Sequence, residues 1–343
     1  MPLYCQCGQI VFCDNTRCEA CGRTLGFLPR NSAMISADTH SDGSLLDDHG
    51  NSYQLCANRR EYMACNGLVA STEATGPETL CDCCQLNRTI PIVDRPENVS
   101  RWQKLERAKR RMIAGLSALG LDVNGGGFGS GSVMRFDFLE DQRSHPDVLE
   151  SFVSTGHKDG VITINLMEAD DVQRVTQREL MGERYRTLLG HFRHEAGHYF
   201  YTPLVTAPAA FASIFGDPLA DYANAVEAYY ERGPAAGWDE QYISAYASSH
   251  PLEDWAECFA HYLHIQDTLD TAAAHKLVHA TNGSLREQLQ SWGELTVAMN
   301  ELSRSLGLRD PYPFVLQEPV IAKLEYVHAT IADARTGQAS FVG

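Results

Sequence analysis

The stretch "HFRHEAGHYFY", residues 191 to 201, holds the residue types that could do chemistry at a metal. His194 and His198 are four apart, so on a helix both imidazoles face one side and can share one zinc ion. Glu195 stands beside them, where a carboxylate can take a proton from a water at that ion. Gly197 costs helix propensity, and its use would be the close approach of another segment. His191 lies one turn earlier and is read as a supporting or surface residue, because three histidines from one helix rarely suit one metal. Two histidines leave a catalytic zinc short of a third protein ligand.

The chain offers that ligand downstream in "SAYASSHPLEDWAECFAHYLHI". Pro251 suits the first turn of a helix, and Trp255, Phe259 and Tyr262 give it an apolar stripe. Glu253 and Glu257 are four apart and share a face. One of them can bind zinc while the other accepts a hydrogen bond from a ligating histidine.

Elements must hold these two segments in place. "RYRTLLGHFRHEAGHYFY" reads as an amphipathic helix with Tyr185, Leu188, Leu189, Phe192, Ala196 and Tyr199 along one stripe. "VMRFDFL" and "GVITINLME" read as strands, the second able to offer an edge to an extended peptide. "NGGGFGSGS" lacks the Gly-Lys-Ser/Thr ending of a phosphate loop and reads as a turn. "DRPENVSRWQKLERAKRRMIAGLSALGL" reads as a helix capped by Asn98 or Ser100, with Trp102, Leu105, Met112, Leu116 and Leu119 inward. Its other side carries Lys104, Arg107, Lys109, Arg110 and Arg111, read as a solvated face.

Ten of the eleven cysteines precede residue 85. In a reducing compartment that density points to metal rather than disulfides. Cys18-x-x-Cys21-Gly22 has the form of a zinc knuckle, and Cys5 with Cys7-Gly8 forms its partner at a shorter spacing. Cys5, Cys7, Cys18 and Cys21 are the first expected site, with Cys13 as a substitute. Cys56, Cys65, Cys81 and Cys84 are the second, with Cys83 as the spare thiol. Both would be closed four-thiolate sites. The polar "NSAMISADTHSDGSLLDDHGN" between them reads as an exposed loop.

The chain has 343 residues, 44% of them hydrophobic, with a formal net charge of -16. Residues 1–93 hold six Lys/Arg and ten Asp/Glu, so a nucleic-acid partner is not expected. No apolar run is long enough to span a bilayer, which leaves no membrane partner expected. "MPLYCQCG" has no basic, apolar leader, and the expected location is the cytoplasm.

"HEAGH" followed by "EDWAECFAHYL" resembles the gluzincin group of zinc metallopeptidases, which includes thermolysin and the anthrax lethal factor catalytic domain. The resemblance implies Glu253 as third zinc ligand and Glu257 as the residue supporting it, toward His194. It also implies Tyr246, seven residues before Glu253, as a group that stabilises the transition state; Tyr242, His250 and His261 are substitutes. Over nearly its full length, in "CGRTLGF", "LNRTIP", "RTLLGHFRHEAGHYF" and "HPLEDWAECFAHYLHI", the chain is similar to a family of bacterial zinc-binding metallopeptidases with an N-terminal zinc ribbon.

The expected architecture is α+β. A zinc-ribbon module over residues 1–93, small and β, carries the two four-cysteine sites. A gluzincin-like metallopeptidase domain over 94–343 has a small sheet packed on the "HEAGH" helix and a mostly helical second half. The expected activity is hydrolysis of peptides or proteins, with one catalytic and two structural zinc ions. The alternative is a zinc-ribbon adaptor whose peptidase-like domain does no catalysis; an intact Glu195 argues against it.

Overall fold

The computed structural model describes residues 2–41, 43–73, 76–124, 133–180, 187–279 and 283–336, without the side chains of 177–180. The "NGGGFGSGS" stretch from residue 125 on, and Tyr185, lie outside the described residues. By their contacts the described residues form two compact units, one up to residue 174 and one from 175 onward.

The first unit opens with the cysteine-rich strands. β1 (Leu3–Tyr4) and β2 (Ile10–Val11) pair antiparallel. An antiparallel sheet follows in simple chain order: β3 (Thr24–Leu28), β4 (Ala33–Thr39), β5 (Leu45–Leu46), β6 (Ser52–Leu55) and β7 (Leu68–Ala70). A short helix α1 (Ala57–Tyr62) lies between the last two strands. The segment expected to be an exposed loop is therefore two strands of this sheet, β4 and β5. Ala37 and Leu45 are buried against Leu68, Met34 packs against Cys5, Val11, Cys18 and Leu25, and only the end of β4, Asp38 and Thr39, is exposed.

β8 (Asn87–Thr89) leads into α2 (Pro96–Ala118), then β9 (Arg135–Leu139), β10 (Gly156–Lys158) and β11 (Val161–Asn165). These four strands form a mixed sheet in the order β10, β11, β9, β8. The "GVITINLME" strand, β11, is interior: it pairs antiparallel with β10 and parallel with β9. It therefore has no free edge to offer a peptide. The sheet belongs to the first unit, with the cysteine-rich strands, and not to the unit that contains "HEAGH".

α2 starts earlier than Asn98 or Ser100 would have it. Pro96 sits at the first helical position, where its missing N–H costs nothing, and Arg95 is the cap residue. Asn98 points inward instead, donating to Glu140 Oε1 (2.7 Å) and to the Ile92 carbonyl (3.0 Å). Trp102, Leu105, Met112 and Leu116 are fully buried. The basic side of α2 is not simply a solvated face. Lys109 is fully buried, paired with Glu106 one turn earlier at 2.8 Å, and Arg110 is buried too. A buried cation persists only when it is paired, and Glu106 supplies the pair.

α3 (Asp171–Leu180) spans the division between the units. The second unit is helical: α4 (Leu188–Leu204), α5 (Pro208–Phe215), α6 (Tyr222–Arg232), α7 (Trp238–Gln241), α8 (Pro251–Ala274), α9 (Leu285–Ser305) and α10 (Glu318–Thr336). α4 and α8 make its centre. Phe192, Ala196 and Phe200 of α4 and Trp255 and Phe259 of α8 are fully buried, with the Phe200 and Phe259 rings stacked at 5.8 Å. α10 closes on α8 through a buried ion pair, Lys323 Nζ to Asp254 Oδ2, at 2.6 Å. Among the described residues no helix is long and apolar enough to cross a membrane.

Candidate metal centres

α4 begins where Thr187 caps it, its Oγ1 accepting from the Gly190 amide at 3.0 Å. Two turns later the helix presents His194 and His198 on one side. α8 begins at Pro251, with His250 as its cap, and presents Glu253 and Glu257 on one face. Gly197 lets the two helices meet. A Cβ built there would stand 2.9 Å from the Ala256 Cα and 3.2 Å from its carbonyl oxygen. The Trp255 indole donates to the Gly197 carbonyl at 2.8 Å and holds the contact in register.

His194, His198 and Glu253 come together there, with one donor atom from each lying within 4.8 Å of the others. His194 Nε2 is 3.1 Å from His198 Nε2 and 3.0 Å from Glu253 Oε2, and His198 Nε2 is 3.4 Å from Glu253 Oε1. Donors at a zinc–ligand distance near 2.05 Å, set tetrahedrally, stand about 3.3 Å apart, so this trio fits a zinc ion. Glu253 is 1% exposed, and its Oε2 has no hydrogen-bond partner. A buried carboxylate that faces two imidazoles is stabilised by positive charge, which a bound cation would supply.

The charges agree with this. Burial works against ionisation of Glu253, yet His194 and His198 hold its carboxyl well below the ordinary range. Burial likewise disfavours the His194 cation, and Glu253 with Glu257 outweighs it and holds the imidazole well above its ordinary value. Glu257 Oε1 lies 2.7 Å from His194 Nδ1 and its Oε2 accepts from Ser244 Oγ at 2.6 Å. Burial opposes its charge, but His194 leaves it at about 2. With Nδ1 on Glu257, Nε2 is the nitrogen that faces Glu253 and His198, where a bound cation would take the place of its proton. Glu195 is 7% exposed and its Oε2 also lacks a partner.

The aromatic candidates separate clearly. Tyr246 stands at the site, its ring 6.0 Å from that of His194; burial and the Glu253 charge push its phenol up, so it keeps its proton. Tyr242 lies under the Lys323 ammonium, 4.1 Å from its ring centre. His250 accepts from the Leu252 amide and contacts the Ala220 carbonyl, which occupies both of its nitrogens. His261 is buried, lowered to about 4 by desolvation, and bonded to the Tyr312 hydroxyl at 2.8 Å. His191 is half-buried and not in the cluster. The sequence reading missed Tyr222, whose hydroxyl donates to Glu253 Oε1 at 2.6 Å, and Ser244. Tyr222, Tyr229 and Tyr230 do recur at one-face spacing on α6, which was the available signal.

In the first unit two groups of thiols converge, Cys5, Cys7, Cys18 and Cys21, and Cys56, Cys65, Cys81 and Cys84. Cys5 and Cys21 sulfurs are 3.6 Å apart, Cys7 and Cys18 sulfurs 3.7 Å. These are far beyond a disulfide bond and close to the ~3.8 Å edge of a tetrahedron with zinc–sulfur bonds near 2.3 Å. Gly8 and Gly22, at φ +87° and +79°, make the turns under the first group. Gly67 serves the second: a Cβ there would lie 2.4 Å from the Cys81 sulfur. Hydrogen bonds from Cys65, Cys81 and Cys84 pull the Cys56 thiol far down while the other three are raised, as four closely crowded thiols do to one another. Cys13 and Cys83 stand outside both groups; Cys83 is buried, and desolvation pushes it up to about 11.

The two groups differ in access. Cys7 and Cys21 are exposed, whereas all four thiols of the second group are buried. Under a mild chelator with iodoacetamide, Cys5, Cys7, Cys18 and Cys21 should be alkylated well before Cys56, Cys65, Cys81 and Cys84, as read by peptide mass spectrometry. Labelling of the second group first would contradict this assignment.

Comparison with known proteins gives relatives over most of the chain and two family matches along it. Uncharacterised proteins of Mycobacterium bovis and Mycobacterium tuberculosis are each 39% identical over 339 residues, covering 95% of this chain and 93% of theirs. No solved structure matches the chain. Residues 3–95 match a zinc-ribbon domain. Residues 98–330 match the family described as "Putative zinc-binding metallo-peptidase", and the chain belongs to that family.

Proposed function

We propose that the chain is a zinc-dependent peptide hydrolase whose zinc is held by His194, His198 and Glu253. The observation that carries this is one juxtaposition: one donor atom each from His194, His198 and the buried Glu253 lies within 4.8 Å of the others. When bound there, zinc supplies Lewis acidity, polarising the scissile carbonyl and making water acidic enough to attack near neutral pH. Glu195 Oε2 takes the proton of the attacking water and passes it to the departing amine. The Tyr246 phenol, protonated and facing the site, donates to the oxygen that gains charge. Glu257 holds the His194 ring in the tautomer that turns Nε2 inward.

The two cysteine groups are proposed to hold structural zinc, giving three ions per chain. Four thiolates close a site completely and leave no position for water, so neither group is a second reaction centre. The substrate in this reading is a peptide or protein. The reading is tested by comparing wild type and Glu195→Gln on such substrates at equal zinc content.

A further inference from the structure

Tyr222 is the first residue of α6, a helix with no buried residue, and the side chain is 44% exposed. Its hydroxyl nevertheless reaches a carboxylate that is 1% exposed, donating to Glu253 Oε1 at 2.6 Å. The approach is built in. His250 accepts from the Leu252 amide through Nδ1, so Nε2 carries the proton and donates to the Ala220 carbonyl at 3.1 Å. That bond ties the chain two residues before Tyr222 to the first turn of α8, the helix that carries Glu253. The Tyr222 ring then packs edge-on to the His250 ring, 5.1 Å between centres. Asp221 caps α6, accepting from the Asn224 amide at 3.1 Å.

The consequence lies in the two oxygens of Glu253. Oε1 accepts from Tyr222 and also lies 3.4 Å from His198 Nε2, while Oε2 has no hydrogen-bond donor assigned to it and lies 3.0 Å from His194 Nε2. Resting on the zinc reading above, we propose that Tyr222 is a positioning residue that reserves Oε1 of Glu253 and so makes Oε2 the single ligand oxygen. A carboxylate free to use both oxygens would add a donor to the metal and compete for the open position that water needs. No spacing in the sequence relates Tyr222 to Glu253, since they lie on different helices 31 residues apart.

The test uses the full chain with its cysteine sites left loaded. The ion at the histidine site is removed with a chelator and replaced by Co²⁺, and the visible difference spectrum between loaded and depleted protein is recorded. Tyr222→Phe keeps the ring and its contact with His250 and deletes only the donor. Its expected behaviour is to retain one cobalt ion, with affinity weakened about 10-fold. Its ligand-field band should be less intense than in wild type, because an added donor raises the coordination number. A spectrum superimposable on wild type would overturn the proposal, as would complete loss of the ion from a folded Tyr222→Phe protein. Failure of the wild type to take up any ion at His194 and His198 would instead defeat the zinc reading itself.

Discussion

Glu195→Gln should keep all its zinc and lose peptide hydrolysis by about a hundred- to ten-thousand-fold. Glu195 follows His194 in the chain and is not one of the three grouped donors, so an amide of the same shape should leave the proposed ligands in place. What the amide cannot do is accept a proton. Its nitrogen would also be a donor where the carboxylate oxygen now stands buried and unpartnered. Zinc content by plasma emission spectrometry and turnover of a fluorogenic peptide library check the two halves separately. Full activity in Glu195→Gln would remove Glu195 from the chemistry. Loss of zinc would instead show that its role is structural.

The second large effect is expected from one methyl group. In Gly197→Ala the new Cβ would meet the Ala256 backbone at 2.9 Å, and backbone cannot turn aside as a side chain can. Alanine gains about 1 kcal/mol of helix propensity over glycine. Overpacking at a close helix contact costs about 1–3 kcal/mol, so the net change in stability is small and unfavourable. The metal centre is less forgiving. Its ligand distances tolerate shifts of about 0.2 Å. Relieving this contact moves α4 from α8 by more than that, and the two helices carry the opposing ligands. Gly197→Ala should therefore fold, with circular dichroism and melting close to wild type, and lose the ion between His194, His198 and Glu253. Retention of that ion at wild-type affinity would show that the helices can adjust without opening the site.

These features were unequally legible in the sequence. The pairing of His194 with His198, and of Glu253 with Glu257, follows from helical periodicity, which sequence shows directly. The cysteine groups were legible because each knuckle is local, with Gly8 and Gly22 marking the turns. β4 and β5 were hidden because the residues they bury include the small Ser36 and Ala37, and the text around them is polar. The burial of Lys109 was hidden for a different reason. Five basic residues on one helix suggest solvent, and only the packing shows that Glu106 goes inside with Lys109. The tyrosine spacing on α6 marked Tyr222 only as one of a face; its partner Glu253 is set by the path of the chain between α6 and α8. The exclusion of Tyr242, His250 and His261 from the site likewise depends on neighbours far away in sequence: Lys323, Ala220 and Tyr312.

The measurement that bears most directly on the account is zinc per chain in wild type beside His194→Ala and Glu253→Gln. One ion for each of the three donor groups predicts three in wild type and two in each variant, with both folded. Two ions in all three proteins would contradict it, leaving the cysteine sites loaded and the histidine site without a metal.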